Sequence, residues 1–94
     1  MNGIKISTNI YVGLGSNLGD RFSNITNAIQ MLRKVSDTLT SSKLYETTPY
    51  GFSKQPAFLN SVCKLSTQFT PWLFLHHVKE IEKNFQRNRV FTNS

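Results

Sequence analysis

The sequence predicts an α+β sandwich, and three observations carry that prediction. A short β-branched run, Ile10–Leu14, ends in a glycine-rich turn. Two later segments repeat apolar residues every three or four positions, each behind a helix-start signal. Two strand-like runs flank a stretch, Glu46–Asn60, that holds Pro49, Gly51 and Pro56 and therefore is not regular structure.

Ile10–Leu14 (IYVGL) reads as a buried strand. Gly15–Asp20 breaks it, and Asp20 is placed to cap a helix that begins near Arg21. Phe22, Ile25, Ala28, Ile29, Leu32 and Val35 form that helix's apolar face, and Ser36-Asp37 end it. Leu39–Thr47 is a strand with one solvated face. Phe58–Ser66 is the next strand, with Leu59, Cys63 and Leu65 on one side and Phe58, Asn60, Val62 and Lys64 on the other. Thr70-Pro71 starts a second helix, with Thr as the cap and Pro at the first helical position. Phe74, Val78, Ile81 and Phe85 make its stripe, and it is expected to end near Gln86 or Arg87.

The expected order is strand, helix, strand, strand, helix, after which the chain stops. That is a ferredoxin-like α/β sandwich, two helices on one sheet face, truncated before its last strands. An absent final strand leaves an open edge and under-covered helix faces.

Ninety-four residues, 38% hydrophobic and 17% charged, suit one small globular domain. The net charge of +6 favours an anionic partner. Without an aromatic-interleaved basic stripe, small phosphates fit better than nucleic acid. The single cysteine, Cys63, lies in a strand-like run and fits a reducing compartment. No apolar run approaches the ~18–20 residues of a membrane span, and Met1–Asn9 has neither a secretory apolar core nor the arginines of a transit peptide. The expected location is the cytoplasm, with mitochondria as the alternative.

The Glu46–Asn60 stretch carries Tyr50, Phe52 and Phe58 beside Gln55 and Asn60. Aromatics and amides on a loop between strands either wall a flat, hydrogen-bonding ligand or plug the edge of a core. The Gly13–Arg21 turn is either a phosphate cradle at a helix N-terminus or a tight strand-to-helix turn. It is neither a P-loop nor a dinucleotide fingerprint, because the lysine ending and the glycine spacing are wrong. His76 and His77 are adjacent, face different directions on a helix and receive no role.

Four stretches then combine: YVGLGSNLGDR at Tyr11–Arg21, YETTPYG at Tyr45–Gly51, QPAFLN at Gln55–Asn60 and IEKNFQRNR at Ile81–Arg89. In this order and spacing the chain resembles the 6-hydroxymethyl-7,8-dihydropterin pyrophosphokinase family of folate synthesis. The resemblance implies a transferase with a ferredoxin-like fold that uses ATP and two Mg²⁺ ions to move pyrophosphate onto the pterin hydroxymethyl oxygen. By position it implies pterin contacts from Thr47, Thr48, Tyr50 and Gly51, stacking by Phe58 and edge hydrogen bonds from Asn60. Such a pair suits a planar ring that alternates donors and acceptors. It implies that Arg87 and Arg89 neutralise ATP phosphates as catalytic residues, and that Glu82 lies near the nucleotide or orders the arginines.

Two departures are local: Gln86 stands where the family has glycine, and Phe58 where some relatives have tyrosine. A third concerns the metal. The family continues past the arginines with a Gly-Pro-Arg motif whose two aspartates hold Mg²⁺, and this sequence ends at Ser94 before it. The expectation is therefore a tail at 1–9 and a partial pyrophosphokinase domain at 10–94, inactive alone, with its metal ligands downstream of residue 94. The resemblance also implies fusion to other folate-pathway domains in a larger protein. The alternative from another class is a non-catalytic pterin-, heterocycle- or peptide-binding module. An RNA-binding sheet ranks lower, since Tyr11 is the only aromatic in the first strand.

Overall fold

The computed structural model describes residues 7–48 and 57–84, and the backbone of 88–93. The elements run β1 (Thr8–Ser16), α1 (Arg21–Arg33), β2 (Thr38–Ser41), β3 (Tyr45–Thr47), β4 (Phe58–Thr67), α2 (Pro71–Lys83) and β5 (Asn88–Asn93). The architecture is α+β. One antiparallel sheet has the order β2-β4-β1-β5, with β3 also paired to β4.

The strand alternation follows the sequence pattern. Ile10, Val12 and Leu14 of β1 and Cys63 and Leu65 of β4 turn inward. They join Ile25, Ala28, Ile29 and Leu32 of α1 and Phe74, Val78 and Ile81 of α2 in one core. Both helices therefore cover the same sheet face. Phe22 departs from the expected stripe: at the start of α1 it is 60% exposed. On α2, Trp72 is 82% exposed.

The helix caps are where the sequence puts them. The Asp20 carboxylate accepts from the Ser23 amide at 3.0 Å and the Ser23 hydroxyl at 2.9 Å. Those two bonds hold its pKa below the usual carboxylate value. An acid whose folded pKa is lowered contributes stability above its unfolded value and loses that contribution as pH falls through the folded one. Acid titration of the fold should therefore show wild type losing more stability below about pH 4 than Asp20→Asn, whose cap does not titrate. Thr70 caps α2 by accepting from the Leu73 amide at 3.2 Å, with Pro71 at the first turn. Gly19 precedes the α1 cap with φ +68°, a backbone that side chains with Cβ adopt at a cost. Gly19→Ala is expected to lose about 1–2 kcal/mol by chemical denaturation, and Gly19→Asn less.

Two expectations are corrected. The single strand Leu39–Thr47 is broken in two. Between Ser41 and Tyr45 the chain takes four steps, while the facing residues Cys63 and Asn60 are three apart. This is a β-bulge, and Ser42 makes it. Its amide donates to Val62 O and its hydroxyl accepts from the Val62 amide, both at 2.8 Å. One side chain thus replaces a ladder partner. The extra residue reverses which residues of β3 share a side with β4: Tyr45 and Thr47 face Asn60 and Phe58, and Glu46 faces Leu59 on the helix side.

The second correction concerns the end of the chain, which was expected to lack a strand after the second helix. α2 stops at Lys83, and β5 follows, antiparallel to β1 from Tyr11↔Asn93 to Ser16↔Asn88. Val90, Phe91 and Thr92 are residues of high strand preference, and the β1 edge offers them a full row of backbone partners. The expected open edge is thereby covered where β1 would have formed it.

Candidate functional site

The sheet register gathers Thr47, Phe58, Asn60 and the backbone of Arg89 at one end of the sheet. Here β1 finishes, α1 starts, and β3 and β4 flank residues 48–57. Thr47 lies opposite Phe58, and Tyr45 opposite Asn60. Asn60 also faces Gly15 of β1, and Gly15 faces Arg89 of β5. One cross-strand row therefore runs Tyr45–Asn60–Gly15–Arg89. Asn60 and Arg89 stand two strands apart, roughly 10 Å at ordinary strand spacing.

The Asn60 amide is held firmly. Its Nδ2 donates toward Thr47 Oγ1 at 2.9 Å, Tyr45 O at 3.2 Å and Phe58 O at 3.3 Å. Tyr45 O and Phe58 O can only accept, so both call for the amide nitrogen on that side. The carboxamide oxygen receives no bond from the described residues, and Phe58, half-buried, lies two positions earlier on the same face of β4. Tyr45 is 47% exposed in the same row. A flat ligand carrying N–H groups on one edge fits an aromatic face next to a fixed acceptor.

The first turn settles one of the open alternatives. The amide of Asn24 donates to Ser16 Oγ and to Leu18 O, each at 3.1 Å, which ties the turn to the helix above it. The start of α1 is already occupied by an anion, the Asp20 carboxylate. The Gly13–Arg21 segment is thus a capped strand-to-helix turn rather than a vacant phosphate cradle.

The other predicted residues are placed as follows. Thr48 is exposed just beyond β3. Glu82 is exposed on α2, where it lines a depression of about 350 Å³ with Lys79 and Lys83. Lys83 pairs with Glu80 at 3.2 Å rather than with Glu82. Tyr50, Gly51 and Arg87 lie outside the described residues, and Arg89 is placed by its backbone alone. Among the described residues no three His, Cys, Asp or Glu side chains gather as a metal site. Cys63 is fully buried, and that burial raises its thiol pKa against the opposing charge of Arg33. It is a core residue, not a nucleophile.

Sequence reasoning missed Arg21 and Glu46. The Arg21 guanidinium donates to Ala57 O at 2.8 Å and to Glu46 Oε1 at 3.4 Å. These residues are 36 and 25 positions apart, and no periodicity links them. Only the bulge at Ser42, which turns Glu46 toward the helices, brings them together.

The chain is similar to known proteins along most of its length. The sequence model of 7,8-dihydro-6-hydroxymethylpterin-pyrophosphokinase (HPPK) matches residues 11–94. A 2-amino-4-hydroxy-6-hydroxymethyldihydropteridine pyrophosphokinase of Porphyromonas gingivalis is 42% identical over 81 residues, 85% of this chain and 55% of that protein. A folic acid synthesis protein of Dictyostelium discoideum is 38% identical over 84 residues, 89% of this chain but 13% of that protein. The chain thus spans about half of the bacterial relative and a small part of the other. Among solved structures, the divalent ion tolerance protein CutA1 of Ehrlichia chaffeensis shares the fold, with TM-score 0.56 and 12% identity over 95% of this chain and 82% of that one. No described helix is long and apolar enough to cross a membrane.

Proposed function

Because the chain belongs to the 7,8-dihydro-6-hydroxymethylpterin-pyrophosphokinase family, we propose that it forms the pterin-holding part of a ferredoxin-like enzyme domain. That domain transfers pyrophosphate from ATP to 6-hydroxymethyl-7,8-dihydropterin. The observation that carries this reading is the Asn60–Thr47–Phe58 cluster, an oriented amide and an aromatic side chain on one strand face, inside the segment that the family matches.

In this reading Phe58 stacks on the pterin, and the Asn60 oxygen accepts from an N–H on the ring edge. Thr47 and Thr48 line the entrance to the same site, with Tyr50 and Gly51 following in sequence. The pterin hydroxymethyl oxygen attacks the β-phosphorus of ATP. The bond from that phosphorus to the α-phosphate oxygen breaks, AMP leaves, and the hydroxyl proton is released. Arg87 and Arg89 neutralise the phosphates, for which a forked guanidinium is suited, and Glu82 serves the nucleotide side. Asn60 and Arg89 sharing one row supports the two substrates meeting across β1.

Among the described residues no three carboxylates gather as a Mg²⁺ site, and Asp20, Glu46 and Glu80 are engaged by Ser23, Arg21 and Lys83. Mg²⁺, which neutralises phosphate charge in such transfers, is proposed to bind residues of the family segment that follows the second arginine. The domain is further proposed to work fused to, or beside, other folate-synthesis domains, as the small share of the Dictyostelium protein suggests.

The test compares the 94-residue chain with an extended chain, in which that family segment, taken from the Porphyromonas gingivalis relative, is joined after Ser94. With ATP, Mg²⁺ and the pterin, AMP should appear with the extended chain and not with the short one. Pterin binding by both with turnover by neither would replace this reading with a non-catalytic binding module.

A further inference from the structure

We propose that Arg21 is a positioning residue that fixes β3 against β4, and so sets the spacing of Thr47, Phe58 and Asn60 for the pterin. The inference rests on the pterin reading for its functional consequence and on geometry for the clamp itself.

β3 needs such a device. It is three residues long, and all three are exposed, so burial does not hold its register. It follows a bulge, and residues 48–57 separate it from its partner strand. Register there depends on side chains that bridge the two strands: Asn60 does so from within β4, through Tyr45 O and Thr47 Oγ1, and Arg21 from outside the sheet. Arg21 does this with one planar group. Nη1 donates to the carbonyl of Ala57, the residue before β4, and Nη2 donates to Glu46 at the centre of β3. The Ala57 bond is short, charge-assisted and partly buried. The Glu46 pair, at 3.4 Å and half-exposed, contributes less by itself. Its value is geometric, because a rigid fork fixes the distance between both stems.

The position of Arg21 also argues against a helix role. It is the first residue of α1, where a cation opposes the macrodipole. An arginine there weakens the helix end unless it is occupied elsewhere, and its side chain reaches across to the sheet. The Ser42 bulge supplies the other half of the arrangement, since without it Glu46 would turn away from α1.

Two readouts test the clamp. In the 94-residue chain, Arg21→Ala should speed amide hydrogen exchange at Tyr45–Thr47 and Phe58–Asn60, and leave Val12–Leu14 and Cys63–Leu65 unchanged. In the extended chain it should raise the pterin KM about 10- to 100-fold, the range for losing a hydrogen bond to a charged group. The KM for ATP should stay within about 2-fold, a difference within the scatter of context effects. Arg21→Lys, a point donor, should not restore the pterin KM, and Glu46→Gln should produce a smaller rise than Arg21→Ala. Unchanged exchange, exchange accelerated equally across the sheet, full rescue by lysine, or a rise confined to the ATP KM would each overturn the proposal. Local exchange with no pterin turnover by the unsubstituted extended chain would leave the clamp standing and remove its assignment to pterin.

Discussion

Asn60→Ala is expected to raise the pterin KM of the extended chain about 10- to 100-fold, the cost of losing an oriented acceptor and its packing at a binding edge. The KM for ATP should change little, because Asn60 sits on the β3–β4 side of the site. Asn60→Asp is the sharper variant. In wild type the amide nitrogen faces two carbonyls and the Thr47 hydroxyl. A carboxylate has no hydrogen to give either carbonyl, and two of its three neighbours would repel it. It should bind pterin more weakly than the alanine variant. Steady-state kinetics with each substrate varied in turn, beside a thermal melt of each variant, measures this. Equal rises in both KM values would show that Asn60 supports the fold generally rather than the pterin edge.

Phe74→Ala should have the largest effect on stability. Phe74 is 2% exposed and belongs to the core formed by β1, β4 and both helices. Removing a buried phenyl ring costs about 3–5 kcal/mol, from lost transfer energy and the cavity that remains. A domain of this size has about 5–14 kcal/mol in total, at roughly 0.05–0.15 kcal/mol per residue. The variant should therefore lose from about a fifth to all of its stability, seen as a lower denaturation midpoint with an unchanged slope. Trp72→Ala, two residues earlier and 82% exposed, is the control and should fall within about 0.5 kcal/mol of wild type.

Wherever a local rule governed, the fold could be read from the residues. Asp20 and Thr70-Pro71 mark both helix starts because capping depends on the residue at one position. The alternation of Leu59, Cys63 and Leu65 marks the buried face of β4 because strand periodicity is two. The bulge was not readable. Ser42 is an ordinary exposed serine until Val62 lies opposite it, 20 positions away. The strand β5 was missed for a related reason: Asn88–Asn93 is short, polar at both ends and preceded by arginine, and only the backbone row of β1 gives it a partner. At the site, Thr47, Phe58 and Asn60 were identified in sequence and the register brings them together. Arg21 was not, since long-range charge pairing leaves no periodic trace.

Pyrophosphoryl transfer is distinguished from other reactions by what becomes of the phosphates of ATP. The decisive measurement is the identity of both products formed by the extended chain from ATP and 6-hydroxymethyl-7,8-dihydropterin, read by mass spectrometry. Pyrophosphoryl transfer predicts AMP and a pterin diphosphate ester in equal amounts. ADP with a pterin monophosphate would contradict it, as would bound pterin recovered unchanged beside intact ATP.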